Sequence, residues 1–166
     1  RLRDIVLERK GVNDEMVATG EQVATQLRKL SESAFDADNT AMGAALGRSL
    51  SETLYARLYV VKFYASANPE EHKRATAELA KARETLGSAE ALAAADRALA
   101  DDLKAVDAGM QRYAELFNKI VTLTESRVQI MTETLDANGP LIAKSLEEIT
   151  ASLVESMNEV EKQVAA

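Results

Sequence analysis

Arginine residues placed where a helical apolar stripe should continue are the features of this sequence best suited to specific chemistry. Arg57 lies among leucines and valines in 54–61, and Arg127 continues a row of apolar residues that begins at Leu116. Arg112 lies one helical step before that row. Because a guanidinium keeps its charge when it is buried, it requires an anion or several hydrogen-bond acceptors. A bound carboxylate, held by both arms of the guanidinium, would meet that requirement.

Tyrosine side chains near these arginines would add hydroxyl groups and aromatic walls to a binding site. The predicted ligand-binding residues are therefore Arg57, Tyr59, Tyr64, Arg112, Tyr113 and Arg127. An alternative stays open for each arginine, because its side chain can reach the edge of a bundle or pair with a glutamate. Glu52, Glu115 and Glu125 are the glutamates nearest in sequence that could serve.

Groups that could carry out catalysis are scarce in this chain. It contains no Cys and one His, His72, which excludes a thiolate zinc site, a cysteine nucleophile and a His-rich metal centre. His72 follows two glutamates at a predicted helix start, where neighbouring side chains diverge by about 100° and do not converge on a metal. We therefore expect His72 to be exposed, and we expect the chain to be no enzyme and to need no cofactor or metal.

The composition predicts an all-α protein. The 166 residues are 46% hydrophobic but only 4% aromatic, with two Pro, and Ala, Leu and Glu are abundant. Such strong helix formers with few breakers favour helices around an aliphatic core. The net charge of −7 disfavours binding to nucleic acid. We expect one domain over residues 1–166, and, because the sequence starts at Arg1 without a signal-peptide pattern, a piece excised from a longer protein.

Turn residues divide the chain into five predicted helical segments. The first covers about 2–34, the second ends near residue 65, and the third covers about 69–86, with Asn68 as its N-cap and Pro69 at its first position. A long fourth segment follows Gly87, and the last begins beyond Pro140. Short loops between helices predict an elongated antiparallel up-and-down bundle of the four-helix type. The sequence leaves open whether Pro140 ends or kinks a helix.

The first segment carries a heptad-like seam with polar members. The seam residues are Arg9, Met16, Thr19, Val23, Gln26 and Leu30. Polar residues in such a seam commonly set register and oligomer state. Together with the broad apolar stripe of the last segment, they predict a homodimer, with ligand contact as a secondary role for the polar positions.

Two stretches resemble the sensor regions of bacterial methyl-accepting chemotaxis proteins, including the helical bimodular class. Residues 54–64 resemble the second helix of those regions. Residues 113–117 and 135–142, with Arg127 between them, are similar to the family pattern Tyr-x-x-x-Phe, Arg, Leu-Asp-x-x-Gly-Pro-x-Ile. The resemblance covers roughly residues 46–160, and bimodular members are considerably longer than this chain.

The resemblance implies the periplasmic ligand-binding domain of an inner-membrane chemoreceptor. Such a domain would be a homodimer between transmembrane helices that lie outside this sequence, and its last helix would shift when ligand binds. The implied ligand is an organic acid or an amino acid held by arginines, and Arg57 and Arg127 match recurring family positions. A histidine kinase could carry a similar sensor domain, and a purely structural dimerising bundle without a ligand is the further alternative.

Overall fold

Four helices make up nearly all of the computed structural model, which describes residues 2–164. Helix α1 comprises Leu2–Asp36, α2 comprises Thr40–Ser66, α3 comprises Pro69–Leu92 and α4 comprises Arg97–Val164. The described residues contain no strand. The predicted all-α bundle of the four-helix type is confirmed.

Asparagine side chains cap the helices after the first two turns, and the sequence predicts the second of these caps, Asn68. The Asn39 side chain accepts a hydrogen bond from the Met42 amide at 3.1 Å, and the Asn68 side chain accepts one from the Glu70 amide at 3.0 Å. Pro69 occupies the start of α3, where its missing N–H costs nothing. Short polar side chains therefore satisfy the free amides at the starts of α2 and α3.

The third helix is longer than predicted. It continues through Gly87 to Leu92, because Leu86 and Ala89 on either side of the glycine are both buried. The turn lies instead in residues 93–96, where the Asp96 carboxylate accepts a hydrogen bond from the Leu99 amide at 3.1 Å. Burial of the helix face thus outweighs the weak helix propensity of one glycine.

Pro140 lies inside α4 and does not end it. Proline removes one helical hydrogen bond and crowds the residue before it. That residue is Gly139, which has no Cβ and open space around it. None of the helices in residues 2–164 combines the length and apolarity needed to cross a bilayer.

The chain divides into two compact units, residues 1–125 and residues 126–166. The first contains α1, α2, α3 and the first part of α4. In the second, the described residues 126–164 are all helical.

Polar contacts fix the antiparallel order of the helices in the first unit. Moving seven residues along α1 moves the α4 partner back by seven, since Glu8 pairs with Lys119 at 2.8 Å and Glu15 with Arg112 at 2.6 Å. The α2–α3 pair is joined by a hydrogen bond from the Ser49 hydroxyl to the Ala82 carbonyl at 2.9 Å. These contacts agree with the predicted up-and-down topology.

The core of this unit consists of two apolar clusters separated by small and polar residues. One cluster includes Met16 and Phe117, and the other includes Val23 and Leu27. The residues that intervene are Gly20 in α1 and the buried Ser49 and Thr53 in α2. Small and polar side chains thus interrupt the apolar core at this level of the unit.

The C-cap of α2 offers a test of backbone strain. Ala67 has a left-handed φ of 55°, and its amide donates to the Phe63 carbonyl at 2.7 Å. Since the Cβ penalises this conformation, Ala67→Gly should raise the free energy of unfolding by about 1 kcal/mol in urea denaturation. The matched change at an exposed position inside α3, Ala80→Gly, should lower it by about 1 kcal/mol. A loss of stability in both variants would contradict this account.

Candidate ligand-binding cleft between α1 and α2

Arg57 is the predicted site residue around which a candidate site forms. Its side chain lies across α1 at Gly20, where a Cβ would come within 3.1 Å of the Arg57 Nε. The same Cβ would come within 2.7 Å of the Tyr113 ring. Only glycine at position 20 therefore leaves room for the guanidinium and the tyrosine ring together.

Tyr113 connects Arg57 to α4. Burial raises the pKa of Tyr113 to about 12, and the positive charge of Arg57 acts in the opposite direction. The phenol is therefore neutral at physiological pH. The Arg57 guanidinium thus lies near a polar but uncharged hydroxyl group. Arg57 of α2 therefore lies against Gly20 of α1 and close to Tyr113 of α4.

A cleft of about 470 Å³ opens beside Arg57 between α1 and α2. Its lining combines two arginines, one glutamate and one threonine with three apolar side chains. The lining residues are Glu21, Ala24, Thr25, Arg28, Leu50, Leu54 and Arg57. In α1 these positions follow the helical spacing that places residues on one face.

Both arginines of the cleft have hydrogen-bonding capacity to spare. The Arg57 Nη2 is 3.9 Å from the Glu21 Oε1, which is an ion pair but too long for a hydrogen bond. Arg28 has no ion-pair partner among residues 2–164. The Arg57 side chain is only 25% exposed, so its charge is poorly screened. The cleft lining therefore presents two guanidinium groups with free donors, one on the exposed Arg28 and one on the half-buried Arg57.

Two other predicted ligand-binding residues lie outside the cleft in ordinary surface interactions. Arg112 is exposed and donates to Glu15 at 2.6 Å and to Glu115 at 3.4 Å. Tyr59 lies beside Lys62 and Arg74, whose charged groups are 5.0 and 5.5 Å from its ring centroid.

Tyr64 belongs to a third group, around the buried Arg9. The Arg9 guanidinium stacks 3.8 Å from the Tyr64 ring centroid. It also donates to the Tyr64 carbonyl and, at 3.0 Å, to the Thr124 hydroxyl. Acceptors of the protein itself thus satisfy this guanidinium, as a buried arginine requires.

Most residues of the predicted dimer seam of α1 face the interior of the first unit rather than a second chain. Arg9, Met16 and Val23 are buried there by residues of the same chain. Thr19 is half-buried, and its hydroxyl donates to the Glu15 carbonyl at 2.9 Å. Gln26 and Leu30 border a smaller cleft of about 180 Å³ with Lys29 and Asp102.

Arg127 belongs to the second unit and is half-buried. Its Nε is buried without a hydrogen-bond partner among the described residues. Concave surfaces also follow α4 between residues 146 and 162, but side chains of that one helix bound each of them. They therefore enclose no small molecule.

The expectation of an exposed His72 is wrong. The residue is half-buried, and its ring lies 5.6 Å from the Phe63 ring and 5.5 Å from the Phe117 ring, measured between centroids. The start of α3 packs against α4, which turns this side chain toward the aromatic residues. Within residues 2–164, no group of three or more His, Asp and Glu side chains is arranged to hold a metal ion.

A carboxyl pair between α2 and α3 was not foreseen from the sequence. A hydrogen bond with Glu78 raises the pKa of Glu52, whereas Lys81 first and then Glu52 lower the pKa of Glu78. Paired carboxyl groups can act as acid and base in hydrolysis. This pair lies on the flank of the bundle and lines none of the clefts described above, so it stands apart from the candidate site.

The residue types and spacing in the sequence do not single out Arg28, Glu21 and Thr25 of the cleft. Their spacing on one face of α1 was visible, but all three are polar residues on a polar flank, where solvent exposure is the usual outcome. Only the packing of α1 against α2 shows that this flank faces Arg57.

Comparison of the chain with protein-family models, with curated protein sequences and with solved structures finds no match in any of the three. The fold and the cleft are therefore interpreted from their own geometry.

Gly20 offers a test of the contact between Arg57 and Tyr113. We expect Gly20→Ala to lower the free energy of unfolding by about 1–3 kcal/mol, because the added methyl group must displace the Tyr113 ring. Gly11 lies on the same helix with open space around it, so Gly11→Ala should raise stability by about 0.5–1 kcal/mol. Chemical denaturation of both variants measures the difference. Equal stabilisation by the two substitutions would show that the contact at Gly20 is absent.

Proposed function

We propose that this chain is the ligand-binding domain of a bacterial chemoreceptor and that its first unit binds a small carboxylate in the α1–α2 cleft. The observation that carries this proposal is the pair of cleft arginines, Arg28 and Arg57, with unused hydrogen-bond donors. In this proposal the domain is periplasmic, has no catalytic activity, and is flanked by transmembrane helices of the full receptor.

The electrostatics of the cleft support carboxylate binding. A guanidinium presents two parallel N–H donors that match the two oxygens of a carboxylate. Arg57 is only one-quarter exposed, so an anion that reaches it leaves much of its water behind. The cleft lining carries two positive charges and one negative charge, whereas the chain as a whole has a net charge of −7. This negative net charge also argues against a nucleic-acid partner, as phosphate backbones attract basic surfaces.

The contacts of Arg57 provide a way to transmit binding. An anion in the cleft would compete with Glu21 for the Arg57 guanidinium and shift its position relative to Tyr113. Tyr113 lies on α4, which continues as one helix to Val164. A ligand changes a conformational equilibrium only to the extent that it binds one arrangement better than another. The long ion pair at 3.9 Å is a contact that such a ligand would replace.

The second unit supports homodimer formation. Its apolar stripe consists of Ile142, Leu146, Ile149, Leu153, Met157 and Val160, and each of these side chains is between 56% and 63% exposed. The spacing alternates between three and four residues over most of its length, as in a coiled-coil seam. We propose that the same stripe of a second copy covers it, because a self-complementary helical seam is satisfied by an identical chain.

Ligand binding should be measurable as a gain in thermal stability. In a panel of organic acids and amino acids, a ligand at a hundred times its Kd should stabilise the domain by about 2.7 kcal/mol and raise Tm by several degrees. Arg57→Gln and Arg28→Gln should each weaken binding by about 10–100-fold, since each removes a charge-assisted hydrogen bond. Calorimetric titration gives the affinities.

Arg112→Gln is the matched control for this experiment. Arg112 is an arginine of the same bundle whose charge is already paired with Glu15, so its loss should leave the affinity unchanged. Equal losses from all three substitutions would point to the net charge rather than to the cleft. If no compound changes Tm, the structural dimerising bundle without a ligand becomes the better interpretation.

Dimer formation should depend on the stripe of the second unit. Leu153→Glu should convert a dimer to a monomer in analytical ultracentrifugation, because burying one leucine is worth about 1.5–3 kcal/mol and a buried unpaired charge costs more. Ala151→Glu adds the same charge on the opposite side of the helix and should leave the dimer intact. A monomeric wild-type chain at micromolar concentration would refute the dimer.

A further inference from the structure

The net charge of the α1–α2 cleft limits which chemical class of ligand can bind there. It gives more information than the two arginines alone. Arg28 and Arg57 contribute two positive charges, and Glu21 contributes one negative charge. The Glu21 side chain is 67% exposed and stands at the cleft beside Arg57. The lining therefore has one net positive charge to neutralise.

The remaining walls are apolar. Leu50 and Leu54 from α2 face Ala24 from α1 across the cleft. Leu54 is 49% exposed, so a ligand would remove a substantial apolar surface from water. Contact with an aliphatic group is favourable here because burial of apolar surface contributes about 25 cal/mol per Å².

We infer that the cleft is specific for small aliphatic monocarboxylates, held by Arg28 and Arg57 at the carboxylate and by Leu50 and Leu54 at the tail. This inference rests on the proposed function of the cleft and names its ligand class. Thr25 supplies a hydroxyl on the same wall, which can donate to a carboxylate oxygen or to an oxygen on the adjacent carbon.

Glu21 is the residue that sets this specificity. A dicarboxylate would bring its second negative charge toward Glu21 or toward the leucines, and both placements are unfavourable. An amino acid is a zwitterion without net charge, so it would leave the net positive charge of the cleft uncompensated. A monocarboxylate with an apolar tail avoids both costs and matches the net charge of the cleft.

Three probes separate these ligand classes by calorimetric titration of the full chain. They are 4-methylpentanoate, L-leucine, which has the same carbon skeleton with an added ammonium group, and succinate, which has a second carboxylate. We expect 4-methylpentanoate to bind at least about tenfold more tightly than either of the others. Arg57→Gln should weaken that binding by about 10–100-fold, which places the binding in the cleft.

Two further variants test the roles of Glu21 and Leu54. Glu21→Gln should improve the affinity for succinate relative to 4-methylpentanoate, because it removes the repelling charge. Leu54→Ala should weaken 4-methylpentanoate by about tenfold and leave acetate unaffected. The control is Leu58→Ala, at an exposed leucine of the same helix that does not line the cleft, and it should change neither affinity.

The outcomes distinguish the ligand class from the proposed function itself. If L-leucine or succinate binds as tightly as 4-methylpentanoate and Arg57→Gln weakens that binding by about 10–100-fold, the cleft is a carboxylate site but the monocarboxylate inference is wrong. An unchanged affinity ratio in Glu21→Gln also overturns the inference. If none of the probes binds the wild-type chain at millimolar concentration, both the ligand class and carboxylate recognition in this cleft are refuted.

Discussion

The close approach of helices at small side chains is the constraint on which the first unit depends. The Tyr113 ring and the Arg57 guanidinium occupy the space that a Cβ at Gly20 would need, and Val23 lies 2.6 Å from the Cβ position of Gly109. Because the chain is only 4% aromatic, its core must be filled by aliphatic side chains that interdigitate at native density. Larger residues at these glycines would separate the helices and open the core.

The packing of the helices also determines which acceptors each seam arginine can reach. Arg9 lies at a level where Tyr64 and Thr124 offer acceptors, so its charge is satisfied inside the protein. Arg57 lies in the layer between the two apolar clusters, where Glu21 is its ion-pair partner at 3.9 Å. Two arginines of apolar seams therefore differ in their contacts: Arg9 donates to acceptors of the bundle, whereas Arg57 makes a long ion pair with Glu21.

The second unit differs from the first in the exposure of its apolar side chains. Its helix presents an apolar stripe that is more than half exposed, and no other helix belongs to the same unit. Isolated helices are marginally stable in water, and most of their stability in proteins comes from packing of an apolar face. The sequence of residues 126–164 thus has the pattern of a helix whose apolar face packs against another helix.

The amino-acid sequence by itself determined the helical class and the cap at Asn68, since these depend on residues close together in the chain. It misassigned the buried face of α2, because Leu54, Leu58 and Val61 are exposed whereas Ser49, Thr53 and Ala56 are buried. It misplaced the end of α3, because Gly87 looks like a breaker locally while Leu86 and Ala89 are held by distant residues. It likewise selected Arg57 but not Arg28 or Glu21, and it could not separate Arg57 from the satisfied Arg9. Only the tertiary structure decided these points, because burial and ion pairing depend on which helix faces lie against each other, and that is a property of packing rather than of spacing along the chain.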